Sequence, residues 1–188
     1  MRPVPLCADA TRRWQLLLRG GLLLVAVASG ARPLFAQDLP PEEINIISDG
    51  EDFGWPYCYG RRIPNPEYAD RVGRCVSTTP PVLEMQAHSA PLGMTFYTGA
   101  QFPDEYRGDL FVAFHGSWNR RVPTGYLLAH VEVVNGHPVS YSPFASGWLS
   151  TDGEERGRPV YPAVGSDGSL YLSDDEGGRI YRIHWVGQ

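Results

Sequence analysis

The chain has 188 residues, 43% hydrophobic and 20% charged, with a formal net charge of −5, the balance of one or two folded domains. All 16 basic residues are arginine. Without residues 1–36, eleven arginines face twenty carboxylates, a net charge of −9 that excludes nucleic acid and anionic membrane as partners. With 21 glycines, 17 prolines and 12% aromatic residues, the chain favours turns and short strands over long helices.

Residues 1–36 read as a signal peptide. Arg12, Arg13 and Arg19 form a basic region ahead of the apolar run Gly21–Ser29, and Ala31 and Ala36 offer small-residue cleavage points. Only 12 residues separate Arg19 from Arg32, against about 20 for a membrane-spanning helix. The expected mature chain, 37–188, therefore has no membrane span and is periplasmic or secreted. Thr11–Leu17 has a twin-arginine look and leaves the export route open. Cys7 falls in the removable segment. Cys58 and Cys75 remain, and two cysteines in an oxidising compartment are most simply a disulfide. Neither belongs to a CxxC pair or has a neighbouring histidine, so no metal ligands are expected.

After residue 37 no long helical periodicity appears. Pro40–Ile47 is the one short helix candidate, and its second half suits a strand because Ile44, Ile46 and Ile47 are β-branched. Further on, two segments repeat each other. Gly108–Phe114 matches Gly168–Asp174; each is preceded by a proline-led run (Pro91–Phe96, Pro159–Val164) and followed by another apolar run after a glycine (Gly125–Val131, Gly178–Ile183). Gly147-Trp148-Leu149 falls between them, where an outer strand could end. The repeat predicts an all-β chain of antiparallel meanders, as in β-propeller blades; a sandwich would predict no such repeat. At about 40–50 residues per blade, residues 37–188 make about three blades, too few to close a ring, and an open ring leaves strand edges exposed.

Four motifs carry a family resemblance across residues 38–185: Asp38–Asn45; Phe53–Gly60; the segment 87–120; and Gly157–Val160 leading into Asp167–Asp175. In order and spacing they resemble the C-terminal part of PQQ-dependent sugar dehydrogenases of the soluble glucose dehydrogenase and sorbosone dehydrogenase type. The resemblance implies part of a six-bladed β-propeller, exported to the periplasm, that binds PQQ and Ca2+ and passes electrons to an acceptor. The implied reaction oxidises an aldose or aldehyde by hydride transfer to the quinone. The family's general-base histidine and calcium-binding carbonyls lie in its N-terminal half, and nothing in this sequence matches them.

The carboxylates of PQQ call for arginine. Arg158 stands where the resemblance places a cofactor arginine, and Arg156, two positions earlier, is expected on the same side of a strand. His115 and His88 lie in turns beside apolar strands, where a neutral imidazole could donate to a quinone oxygen or a carboxylate, or simply bond within its turn. No residue is assigned as catalytic base. Trp118, Asn119 and Arg120 either continue the rim or, for Trp118, pack between blades. Trp55 reads as structural, and Asp174-Asp175-Glu176 as a solvated turn, since calcium-loop spacing is absent. Two functions remain open: a dehydrogenase represented by its C-terminal half, or a non-catalytic secreted propeller module needing another chain to complete its ring.

Overall fold

The computed structural model describes residues 39–187; the expected signal peptide and Cys7 lie outside them. Eleven strands run in chain order: β1 (Glu42–Ile44), β2 (Cys58–Tyr59), β3 (Ile63–Pro64), β4 (Leu83–Met85), β5 (Pro91–Phe96), β6 (Leu110–Phe114), β7 (Leu127–Val134), β8 (His137–Ala145), β9 (Pro159–Val164), β10 (Leu170–Asp174) and β11 (Arg179–Ile183). Among the described residues the helical pieces are two 3-10 segments, Pro66–Ser77 and Asp104–Tyr106. The all-β expectation holds.

Both predicted repeats form antiparallel meanders. One is the sheet β5-β6-β7-β8, the other β9-β10-β11. The outer strand β8 ends at Ala145, just before Gly147-Trp148-Leu149 where an outer strand could end, and Asn135-Gly136 marks its start. Both residues have positive φ (52° and 79°) and join the paired residues Val134 and His137, as a two-residue hairpin turn requires. Trp148 and Leu149 lie beyond β8, and Leu149 bridges to Glu155.

Strand β6 is buried along its whole length because each of its faces meets a different core. Phe111 and Ala113 join Tyr97, Tyr126, Leu128, Leu170 and Leu172 between the two large sheets. Leu110, Val112 and Phe114 pack with Met85, Ala129 and Val131, backed by Ile44 and Leu83 of the β1–β4 pair. The large sheets approach closely where Gly93 of β5 faces β9: a Cβ there would sit 2.6 Å from the Val160 carbonyl.

One expectation needs correction. The first strand ends at Ile44, leaving Ile46 and Ile47 41% and 80% exposed. Its partner β4 is preceded by Pro80 and Pro81, which have no N–H to donate, so the ladder stops. The Cys58–Cys75 disulfide forms as expected, tying the Pro66–Ser77 segment to β2, with both cysteines buried. Asn65 caps that segment by accepting from Glu67 N at 3.1 Å.

Phe111→Ala should cost about 3–5 kcal/mol, the usual range for emptying a fully packed phenylalanine site; urea unfolding checks this. Reduction of Cys58–Cys75, whose partners are 17 residues apart, should cost about 3 kcal/mol by releasing loop entropy. Identical unfolding midpoints with and without reductant would contradict it.

Candidate functional site

The chain directions of β6, β9 and β10 bring three loops to one end of the two sheets. His115 follows β6, Arg158 precedes β9 and Asp175 follows β10. His115 N and Gly116 N donate to the carbonyls of Ala90 and Ser89 at 3.0 and 2.9 Å, fixing the exit from β6. Gly116 then lies flat on the Tyr126 ring, where a Cβ would be 2.5 Å from ring carbons.

Arg158 is held by both backbone and guanidinium. Its N–H donates at 2.8 Å to Asp174, whose 3%-exposed carboxylate also accepts from Gly177 N at 2.8 Å and Tyr181 OH at 3.1 Å. Its Nε lies 3.2 Å from Glu155 Oε2 and 3.3 Å from Glu176 Oε2. Its Nη2 donates to Tyr126 OH at 2.9 Å and to the Ser117 carbonyl at 3.2 Å. Its Nη1 lies 3.4 Å from His115 Nδ1, and the guanidinium carbon sits 5.1 Å from the Tyr126 ring centre.

Because a guanidinium only donates, His115 Nδ1 accepts and its Nε2–H donates to Asp175 Oδ1 at 3.0 Å. The Tyr126 hydroxyl lies 2.5 Å from the Ser117 carbonyl and 2.6 Å from Glu155 Oε1, so one phenolic proton serves two acceptors.

The charges follow this geometry. The Tyr126 bond holds the Glu155 carboxyl below its ordinary range, with Arg158 adding to the effect. The His115 bond does the same for Asp175. Burial pushes Asp174 up, but donation from the Arg158 and Gly177 backbone and from Tyr181 outweighs it and leaves the group lowered. Burial also pushes Tyr126 up, and Glu155 raises it further. Burial opposes the Arg158 charge, yet Glu155 and Tyr126 leave its pKa raised. The result is a permanently charged arginine with neutralising carboxylates around it.

Of the predicted site residues, the structure joins Arg158 with His115 and places the others apart. His88 (φ 61°) bonds through Nε2 to the Leu39 carbonyl at 2.9 Å. It reaches the cluster only through its chain neighbours Ser89 and Ala90. Arg156 pairs with Glu154 at 3.3 Å, and its backbone N donates to the Trp148 carbonyl. It does not share a strand face with Arg158, because β9 begins only at Pro159 and the two-residue alternation stops there. Trp118 is 83% exposed and touches neither sheet core of this chain, and Trp55 is 69% exposed on its turn. Asp174 is no solvated residue but the buried acceptor of that turn. Tyr126, Glu155 and Glu176 were not read as site residues, and their only sequence signal is proximity to turn glycines.

In fold and sequence the chain resembles PQQ-dependent sugar dehydrogenases. It belongs to the TrAA12-like family, whose model matches residues 34–186. An uncharacterized protein of Borreliella burgdorferi is 38% identical over 151 residues, covering 79% of this chain and 40% of that protein. The pyrroloquinoline quinone-dependent pyranose dehydrogenase of Coprinopsis cinerea is 33% identical over 122 residues, 55% of this chain and 16% of the enzyme. The calcium structure of a Trichoderma reesei Carbohydrate-Active Enzymes Family AA12 protein superposes with TM-score 0.61 at 25% identity, covering 77% of this chain and 42% of that one. A glucose dehydrogenase superposes with TM-score 0.55 at 26% identity, covering 77% and 38%. The chain thus spans about two fifths or less of the relatives it matches.

Asp174→Ala should cost about 3 kcal/mol, since it strips a buried charged acceptor from three donors at once; chemical denaturation reads this directly. Glu155, Asp174 and Asp175 are all depressed. Their contribution is therefore complete above pH 4.5, the ordinary value for Glu155, and is lost as pH falls through the lowered values. Unfolding free energy measured from pH 6 down to pH 3 should fall, and a flat profile would contradict the assignment.

Proposed function

We propose that this chain is part of a PQQ-dependent sugar dehydrogenase that oxidises an aldose or aldehyde, with Arg158 and His115 facing the cofactor. The observation that carries the reading is the Arg158 guanidinium, fixed by Tyr126 and the Ser117 carbonyl at the common end of two sheets. In this reading the β5–β8 sheet is one propeller blade and β9–β11 most of a second. The β1–β4 and β2–β3 pairs belong to a third, and a six-bladed ring needs further polypeptide.

The residues fit a carboxylated ligand. Of the five guanidinium N–H donors, Nε is shared by Glu155 and Glu176, Nη2 is satisfied by Tyr126 and Ser117, and Nη1 meets His115 with one hydrogen. The second Nη1 hydrogen is available to a carboxylate. When bound, PQQ would supply the quinone that accepts hydride from the sugar. The chain's own residues orient it: Tyr126 and Glu155 fix the guanidinium plane, and Asp175 fixes the His115 ring. His115 Nδ1 already accepts from Arg158, so His115 is a positioning group and no catalytic base is assigned.

Among the described residues no group of three or more His, Cys, Asp or Glu is arranged to hold a metal. No residue of this chain is assigned to Ca2+. The Cys58–Cys75 disulfide supports an exported, periplasmic or secreted location.

A second reading is a non-catalytic module that completes its ring with another chain. It is favoured by Leu92, Met94 and Phe96, 55%, 58% and 55% exposed along β5 beside the buried second core. The test that separates the readings is titration of the purified chain with PQQ. The dehydrogenase reading expects saturable binding and a raised unfolding temperature. It also expects at least tenfold weaker binding in Arg158→Met, about 1.4 kcal/mol. Absence of any PQQ-dependent stabilisation would leave the module reading standing.

A further inference from the structure

The two carboxylates that face the Arg158 Nε are not equivalent. A guanidinium Nε carries a single hydrogen. It donates to Glu155 Oε2 at 3.2 Å, whereas Glu176 Oε2 lies 3.3 Å from the same nitrogen as an ion pair only. Glu155 is held a second time, because its other oxygen accepts from Tyr126 OH at 2.6 Å. The Glu176 side chain has Arg158 as its one ion-pair or hydrogen-bond partner among the described residues, and it is 51% exposed against 38% for Glu155. The turn on either side of Glu176 is pinned. Asp175 Oδ1 accepts from His115 Nε2 at 3.0 Å, and Gly177 N donates to Asp174 Oδ1 at 2.8 Å. Glu176 can therefore leave Arg158 by rotation of its exposed side chain alone, with the turn in place.

We propose that Glu176 is an exchangeable counter-ion: it holds the Arg158 guanidinium until a ligand carboxylate arrives and then swings into water. A carboxylate on the second Nη1 hydrogen would be one anion too many. Glu155, Asp174, Asp175 and Glu176 already place carboxylates around one guanidinium, and like charges at such distances repel. The anion that leaves is the one held once, not the one held twice. Because Glu176 is tethered beside Arg158, its effective concentration is high and a free monocarboxylate competes poorly with it. A ligand that brings further contacts displaces it, which makes Glu176 a specificity-determining residue. The exchange rests on the reading of Arg158 as the residue that receives the cofactor's carboxylate.

The full chain is titrated by calorimetry with PQQ and, separately, with phthalate, a dicarboxylate that has no quinone. The Gly177 and Gly178 amides are followed by NMR to place the binding at this turn. Glu176→Gln should tighten whichever probe binds about threefold to fivefold, the scale of a half-exposed ion pair. Glu154→Gln removes the same charge from a carboxylate that pairs with Arg156 instead, and should change affinity by less than about twofold. Glu155→Gln should weaken binding, because the guanidinium and Tyr126 lose the group that orients them. Equal affinity in the natural chain and Glu176→Gln would overturn the proposal. So would an equal gain in Glu154→Gln or Glu155→Gln, which would reduce the effect to net charge. If phthalate shows the exchange and PQQ does not bind, the quinone reading fails while the counter-ion role stands. Binding of neither probe to any variant overturns both.

Discussion

The double burial of β6 is the constraint on which the rest of this fold depends. A strand with water on one face can slip in register at modest cost, whereas a strand between two cores cannot, since a one-residue slip would exchange both sets of side chains. Leu110, Val112 and Phe114 face one core, and Phe111 and Ala113 the other. This fixes where β6 ends and therefore where His115 emerges. The same rigid register carries β5 and β7 with it, each paired along β6.

The arginine site is built on that frame but is stabilised by different physics. Placing Arg158 at 17% side-chain exposure is tolerable only because carboxylates and polar oxygens replace the water it gives up. Asp174 holds its backbone, Glu155 and Glu176 balance its charge, and Tyr126 sets its plane. Gly116 is the steric condition for this arrangement, since any side chain there would push Tyr126 away. The site is thus preorganised for one further acceptor rather than open on all sides, which limits what can bind to groups able to take an N–H from Nη1.

Much of the fold was legible because local chemistry and tertiary outcome agree. The repeated Gly–Asp/Ser–Leu pattern announced β6 and β10, and the proline-led runs announced β5 and β9. For β8 the sequence marked only where an outer strand could end: HPVSYSPFA alternates weakly and is mostly exposed, leaving the Asn135-Gly136 turn as the clearest signal of its start. Ile46 and Ile47 misled in the other direction: their β-propensity is real, but a strand needs a partner with N–H groups, and Pro80 and Pro81 offer none. Arg156 and Arg158 looked equivalent by spacing because the sequence does not show where β9 begins.

By itself the sequence determined the strand-rich class, the pairing of the two cysteines that remain after residue 36, and Arg158 as the arginine to examine. These follow from composition, turn chemistry and short-range periodicity, which act within a few residues. Only the tertiary structure decided that His115, Tyr126, Glu155, Asp175 and Glu176 surround that arginine and that His88 and Arg156 do not. Those outcomes depend on which loops arrive at the same end of two sheets, and the distances involved are set by core packing between residues far apart in the chain.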